Sequence, residues 1–288
     1  MARGLAILVV LVAGAVHAQQ PSTAPPVLES FVDGTGRVVV LLDVGVHEAG
    51  GFEPHARALA PDFRIVRMQP LHIERAQKDL PLPAGYSMDI ESEAMARALD
   101  RLGLTGPVDI VGASFGALVA LDFALDQPER VRSLALFEPP AFWAMPAETI
   151  ANDAAMRAMI EVSRELVPDA EPTDAQLAAF LCALGACGEE PPEDGTTELK
   201  VWEARRAALG GLSAVPNHRD SVERLKAFAK PVLLMTGAAT VDFHRRINDH
   251  LATLLPRVER AEVAGGHDAP TSSREDFLAK WRAFVEKH

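Results

Sequence analysis

The chain has 288 residues, 48% of them hydrophobic and 24% charged, with a formal net charge of -12. This length can bury one large core, and the composition excludes fibrous and largely disordered classes. The acidic balance disfavours nucleic acid and anionic lipid as partners, because both repel a negative surface.

The chain opens with a basic "MARG", an apolar "LAILVVLVAGAV" and small residues ending at Ala18. This layout predicts a secretory signal peptide over residues 1–18, cleaved before Gln19, with export to a periplasmic or extracellular compartment. The competing reading is an uncleaved anchor, which the apolar run is short for, since a spanning helix takes about 20 residues. Once it is cleaved, no membrane attachment is expected. Residues 19–26 read as a Pro-rich spacer.

From Val27 strands and helices alternate. "RVVVLLDV" (37–44) predicts a buried strand, "HARALAPD" a short helix and "FRIVRMQ" another strand. "SMDIESEAMARALDRLGLTG" is amphipathic, with Ser87 or Asp89 as N-cap and Gly103 as the stop. "PVDIVGA" reads as a strand, "FGALVALDFALD" as a helix and "VRSLALFE" as a strand. This rhythm implies crossovers and a mostly parallel sheet, and the unbroken apolar strands imply helices on both faces.

Between Ala141 and Phe228 no strand pattern occurs. "AETIANDAAMRAMIEVSRELV", "TDAQLAAFLCAL" and "LKVWEARRAALGGL" read as helices, so residues 141–228 form an inserted helical subdomain. Cys182 and Cys187 lie within it, either as a disulfide made possible by a helix break at Gly185 or as two buried thiols. Two cysteines without nearby histidine fall short of a zinc site, and no cofactor or metal motif stands out. The α/β rhythm resumes with "KPVLLMTG", "FHRRINDHLATLL", "RVERAEVAG" and "SREDFLAKWRAFVEKH".

The chemistry centres on Gly112-Ala-Ser114-Phe-Gly116, set between a strand and a helix. The five residues alone are a weak signal. Their setting predicts a sharp turn that lifts the Ser114 hydroxyl above the sheet and aims helix N-terminal amides at developing negative charge.

The segments "VDIVGASFGALVALDFALDQPERVRSLALFEPP", "PVLLMTG" and "VERAEVAGGHDAP" resemble the α/β-hydrolase superfamily. The resemblance implies a doubly wound, mostly parallel eight-stranded sheet flanked by helices, with residues 141–228 as a helical lid inside a domain spanning 27–288. It also implies a Ser–acid–His chain order. Ser114 is then the nucleophile and His267, in the Gly-rich "AGGHDAP", its base. His218, His244 and His250 read as surface groups on or near helices. The acid has two candidates. Glu138 is preferred, because a carboxylate that ends the apolar "LALFE" is costly to bury unless paired and His267 would pair it; Asp242 is the alternative, near the family's usual position, where Thr240 stands in its place. The Phe115 amide and, after the first strong strand, the Val44 amide would form the oxyanion hole. Asp43 beside it departs from the family's His-Gly.

These readings lead to a serine esterase acting on a small, fairly apolar substrate, with no cofactor. Phe142, Trp143, Met145, Met156, Met159, Phe180 and Trp202 supply either a pocket wall or lid packing. A C–C bond hydrolase, a lactonase or a cofactor-free haloperoxidase would use the same residues. A non-catalytic binding protein of the same fold is the reading from another class.

Overall fold

A computed structural model of the chain describes residues 24–45, 49–168, 170–185 and 206–288. The segment expected as a signal peptide, most of the expected Pro-rich spacer, Trp202, Cys187 and the start of "LKVWEARRAALGGL" lie outside the described residues. No described helix is long and apolar enough to cross a membrane.

The strands are β1 (Glu29–Asp33), β2 (Arg37–Leu42), β3 (Phe63–Gln69), β4 (Val108–Ala113), β5 (Val131–Phe137), β6 (Val232–Gly237) and β7 (Val258–Val263). They form one sheet in the order β1-β3-β2-β4-β5-β6-β7. Only β1 runs antiparallel, paired with β3 along Glu29↔Gln69 to Asp33↔Ile65. The sheet has seven strands among the described residues rather than the eight implied by the family resemblance. Pro25 and Pro26 precede β1, and proline cannot donate to a strand ladder.

Helices α1 (Glu53–Leu59), α2 (Leu71–Gln77), α3 (Met88–Arg101) and α4 (Phe115–Asp126) connect the first five strands. Ser87 caps α3 by accepting the Ile90 N–H. Phe115 to Leu125 of α4 are all buried. A helix that is apolar all round belongs in the interior, and α4 packs against β4 and β5 directly behind the turn that carries Ser114. Two apolar clusters cover the two faces of the sheet. One gathers Val40, Ile110, Leu134 and Leu234 with α3 and α4, and the other gathers Val39, Val111, Ala135 and Leu233 with Phe277 and Trp281.

Between β5 and β6 no strand occurs among the described residues. The pattern read as one helix over 147–167 is two, α5 (Ala147–Asn152) and α6 (Ala154–Glu165). Asp153 is extended between them, and its carboxylate accepts the Met156 N–H at 3.0 Å. A side chain that caps a new helix competes with continuing the old one. Helix α7 (Asp174–Ala183) starts with a capping box at Thr173 and Gln176. Arg206–Ser213, expected as α-helix, is a 3-10 helix. Cys182, at the end of α7, is disulfide-bonded.

Candidate active site

Ser114 sits between β4 and α4 with φ 49° and ψ -118°, in the region L-residues rarely occupy. Two glycines permit the turn. A Cβ on Gly112 would stand 2.6 Å from the Ala117 Cα, and one on Gly116 would stand 2.6 Å from the Leu42 carbonyl oxygen. The Ser114 N–H donates to the Phe137 carbonyl at 2.8 Å, which ties the turn to the end of β5.

The Ser114 hydroxyl lies 2.9 Å from His267 Nε2. On the other side of the ring, His267 Nδ1 lies 2.5 Å from Glu138 Oε2. A proton on Nδ1 donated to the carboxylate leaves Nε2 free to accept the Ser114 proton. Glu138 follows β5 with φ 45° and is fully buried. Its carboxylate also accepts the Gly237 N–H at 2.7 Å and the Thr240 hydroxyl at 3.0 Å. Burying a charge costs a great deal unless it is paired and hydrogen-bonded, and Glu138 is both. Thr240, which stands where the family pattern expects a carboxylate, donates to the carboxylate that has moved to β5.

Asp242 is not brought to this group. It is the first residue of the helix Asp242–Leu254, its side chain is 82% exposed, and it pairs loosely with Arg246 at 3.8 Å.

The two amides expected to form an oxyanion hole, of Phe115 and Val44, are placed differently from each other. Phe115 begins α4, and its N–H meets no acceptor among the described residues. Val44 lines the adjoining cavity. Its N–H, however, is engaged by the Asp43 carboxylate at 2.6 Å. Asp43 is buried, and its backbone carbonyl accepts the Gly116 N–H at 3.1 Å. Behind this loop His72 Nε2 donates to the Gly45 carbonyl at 2.6 Å, and its ring meets Phe115 edge-on at 4.4 Å between centroids. Glu91, fully buried, accepts the Tyr86 hydroxyl at 2.5 Å and the backbone N–H groups of Leu71 and His72. Burial beside Glu91 pushes the Tyr86 phenol far above its ordinary range. Sequence reasoning missed this group, because nothing in "PLHIER" announces that His72 faces inward.

His218 and His244, both expected at the surface, are buried. His218 is buried 3.2 Å from Asp122 of α4. His244 is 2% exposed and stacks on the His267 ring, with centroids 4.2 Å apart and planes 7° from parallel. Among the described residues neither His244 nitrogen has a hydrogen-bond partner. Burial, with the neighbouring His267 adding to it, pushes the His244 imidazole well below its ordinary range. Leaving a buried polar group unpaired costs on the order of 1–3 kcal/mol. The helical register shows why His244 faces inward: Phe243, Ile247 and Leu251 form a buried stripe, and His244 and Asn248 extend it on one flank.

Glu138, His244 and His267 bring their ligand atoms within 4.8 Å of one another. A single ion bound at about 2.1 Å cannot take both imidazoles in this arrangement, since stacked rings hold their lone pairs in parallel planes.

The Ser114–His267 pair opens into a cavity of 590 Å³. The helical insertion lines it with Phe142, Met159, Phe180, Leu212 and Val215, and Thr240, His244 and Asp268 contribute polar groups. Of the aromatic and methionine residues read as a possible wall, Phe142, Met159 and Phe180 take that part. Met156 is fully buried in packing.

Residues 41–188 match the family described as alpha/beta hydrolase fold, which is half of the chain. The chain belongs to that family. It is 27% identical over 254 residues to "Putative carbamate hydrolase RutD" of Klebsiella pneumoniae strain 342, covering 84% of this chain and 89% of that one. Among solved structures it resembles a thermophilic esterase from Thermogutta terrifontis, with TM-score 0.66 at 19% identity over 90% of this chain and 93% of that one. It also resembles the structure named as a putative non-heme bromoperoxidase BpoC of Mycobacterium tuberculosis, with TM-score 0.65 at 20% identity over 90% and 96%. At such identities the structural likeness speaks for the fold alone.

Proposed function

We propose that this hydrolase of the α/β-hydrolase superfamily cleaves small, fairly apolar carboxylic esters through an acyl-enzyme, with Ser114 as nucleophile, His267 as base and Glu138 as the orienting acid. The observation that carries the reading is the unbroken relay from Ser114 Oγ to His267 at 2.9 Å and from His267 to Glu138 at 2.5 Å. His267 takes the Ser114 proton as Oγ bonds to the carbonyl carbon. Glu138 stabilises the imidazolium. The Phe115 N–H receives the oxyanion, and Val44 joins it when Asp43 releases its amide. His267 then protonates the leaving alcohol and activates the water that frees the acid. The chemistry requires neither metal nor cofactor.

The apolar wall from the insertion, which acts as the lid, supports an apolar acyl or alcohol group. Carbamates are a second substrate class, favoured by the similarity to the RutD protein, and they would pass through the same steps as carbamoyl-enzyme. We place the mature protein outside the cytoplasm, beginning at Gln19. The test is hydrolysis of short p-nitrophenyl esters and carbamates by the wild type and Ser114→Ala. Turnover that survives in folded Ser114→Ala ends the proposal.

A further inference from the structure

The His244 side chain has no place in the relay, yet it presses its face on the ring at the centre of that relay. We propose that His244 is a positioning residue whose neutral aromatic face, stacked on His267, holds that ring between Ser114 and Glu138 and stabilises the positive charge His267 acquires when it takes the serine proton.

Three observations support this. The stack is close and nearly parallel, at 4.2 Å and 7°, so the His244 π face covers one side of His267. An electron-rich ring face attracts a cation placed over it, and most strongly where water is excluded. Among the described residues neither His244 nitrogen has a hydrogen-bond partner, and packing against Phe243 and His267 places the ring. A second positive charge at this distance would cancel the effect, and burial keeps His244 uncharged. Each feature fits a ring selected for its face.

Few other charges reach the pair. Glu138 approaches the Nδ1 edge of His267 from the end of β5. Asp268, next in the chain, is the one carboxylate lining the cavity among the described residues, and the described part of the insertion adds no charged side chain to it. On its own helix Asp242 and Arg246 point outward, at 82% and 50% exposure, while Arg245 turns its guanidinium to the Gly237 and Ala238 carbonyls and pairs with Glu262 at 3.2 Å.

The inference rests on the esterase reading, because only a proton-accepting His267 becomes charged during turnover. The test therefore uses two readouts on the full chain. Leucine removes the aromatic face at similar volume, asparagine keeps polarity without a face, and phenylalanine keeps a face without nitrogens. For His244→Leu and His244→Asn, kcat on p-nitrophenyl acetate should fall about 3- to 30-fold with KM within about twofold. The acidic limb of the kcat/KM profile should move to lower pH by about half a unit to one unit. His244→Phe should restore both. In parallel, the Cε1–H signal of His267, followed by NMR, should switch at lower pH in the leucine and asparagine variants. That readout needs no turnover, so it judges the stack even if the esterase reading fails. A folded leucine or asparagine variant with wild-type kcat and an unmoved limb and NMR transition overturns the proposal. A folded phenylalanine variant as impaired as leucine also overturns it, since the nitrogens and not the face would then matter.

Discussion

The Asp43 carboxylate accepts the Val44 backbone N–H at 2.6 Å, engaging the amide proposed to help hold the oxyanion, on a residue that lines the cavity beside Ser114. A charged acceptor binds an N–H about twice as strongly as a neutral one. Asp43→Asn weakens that hold and removes a buried negative charge from beside the developing oxyanion. We predict that kcat for p-nitrophenyl acetate rises about 3- to 10-fold, given that one oxyanion donor is commonly worth about 100-fold or more. A kcat that falls in a variant with unchanged Tm would show that the Asp43 charge aids the reaction.

Glu138 and Asp242 should separate cleanly. Glu138→Gln replaces the acceptor of the His267 Nδ1–H, the Gly237 N–H and the Thr240 hydroxyl, and should lower kcat by about 10³- to 10⁴-fold. Asp242→Asn, on an exposed side chain, should leave kcat within about twofold. Steady-state kinetics on both variants checks the pair, and the reverse pattern would assign the acid to Asp242.

These two residues also mark how far the sequence reaches. The sharp turn at Ser114 was legible because continuous apolar runs flank Gly-x-Ser-x-Gly, and both Val108–Ala113 and Phe115–Asp126 form where the pattern puts them. A carboxylate at the end of an apolar strand was legible as a buried, paired group. Strand β1 was not, because "ESFVD" is short, half exposed and at the sheet edge, so burial leaves little mark on it. Helix α2 was hidden because its buried residues, Leu71, His72 and Ile73, are consecutive and leave no helical period. The inward faces of His72 and His244 escaped notice because periodicity groups residues by face, while only packing decides which flank of a stripe is covered.

Stability should depend on pH through two histidines. Burial lowers both His55 and His244 from the ordinary value near 6.5. The unfolded chain therefore binds protons that the folded chain refuses. Stability is fully present above about pH 6.5 and is lost as pH falls below it, by up to about 1.4 kcal/mol per histidine per unit. Tm should fall between pH 7.5 and 5.5, and His244→Leu should reduce that fall. A Tm that rises over this interval would contradict the assignment.

His72 should matter to the oxyanion loop. His72→Leu removes the donor to the Gly45 carbonyl and the edge contact with Phe115, and leaves Glu91 with one polar neighbour fewer. We predict about a 10-fold or greater loss of kcat with a lowered Tm. Kinetics at a temperature well below both transitions separates the two effects. Wild-type kcat there would mean that the loop holds its shape without His72.

The central claim is that Ser114 is a nucleophile activated by His267. Incubation with a fluorophosphonate serine probe, followed by intact-mass and peptide analysis, tests it most directly. The account predicts one adduct per chain, on Ser114, abolished in Ser114→Ala and strongly slowed in His267→Ala. A folded wild-type protein that acquires no adduct, or acquires one elsewhere, would contradict it and favour a binding protein built on the same fold.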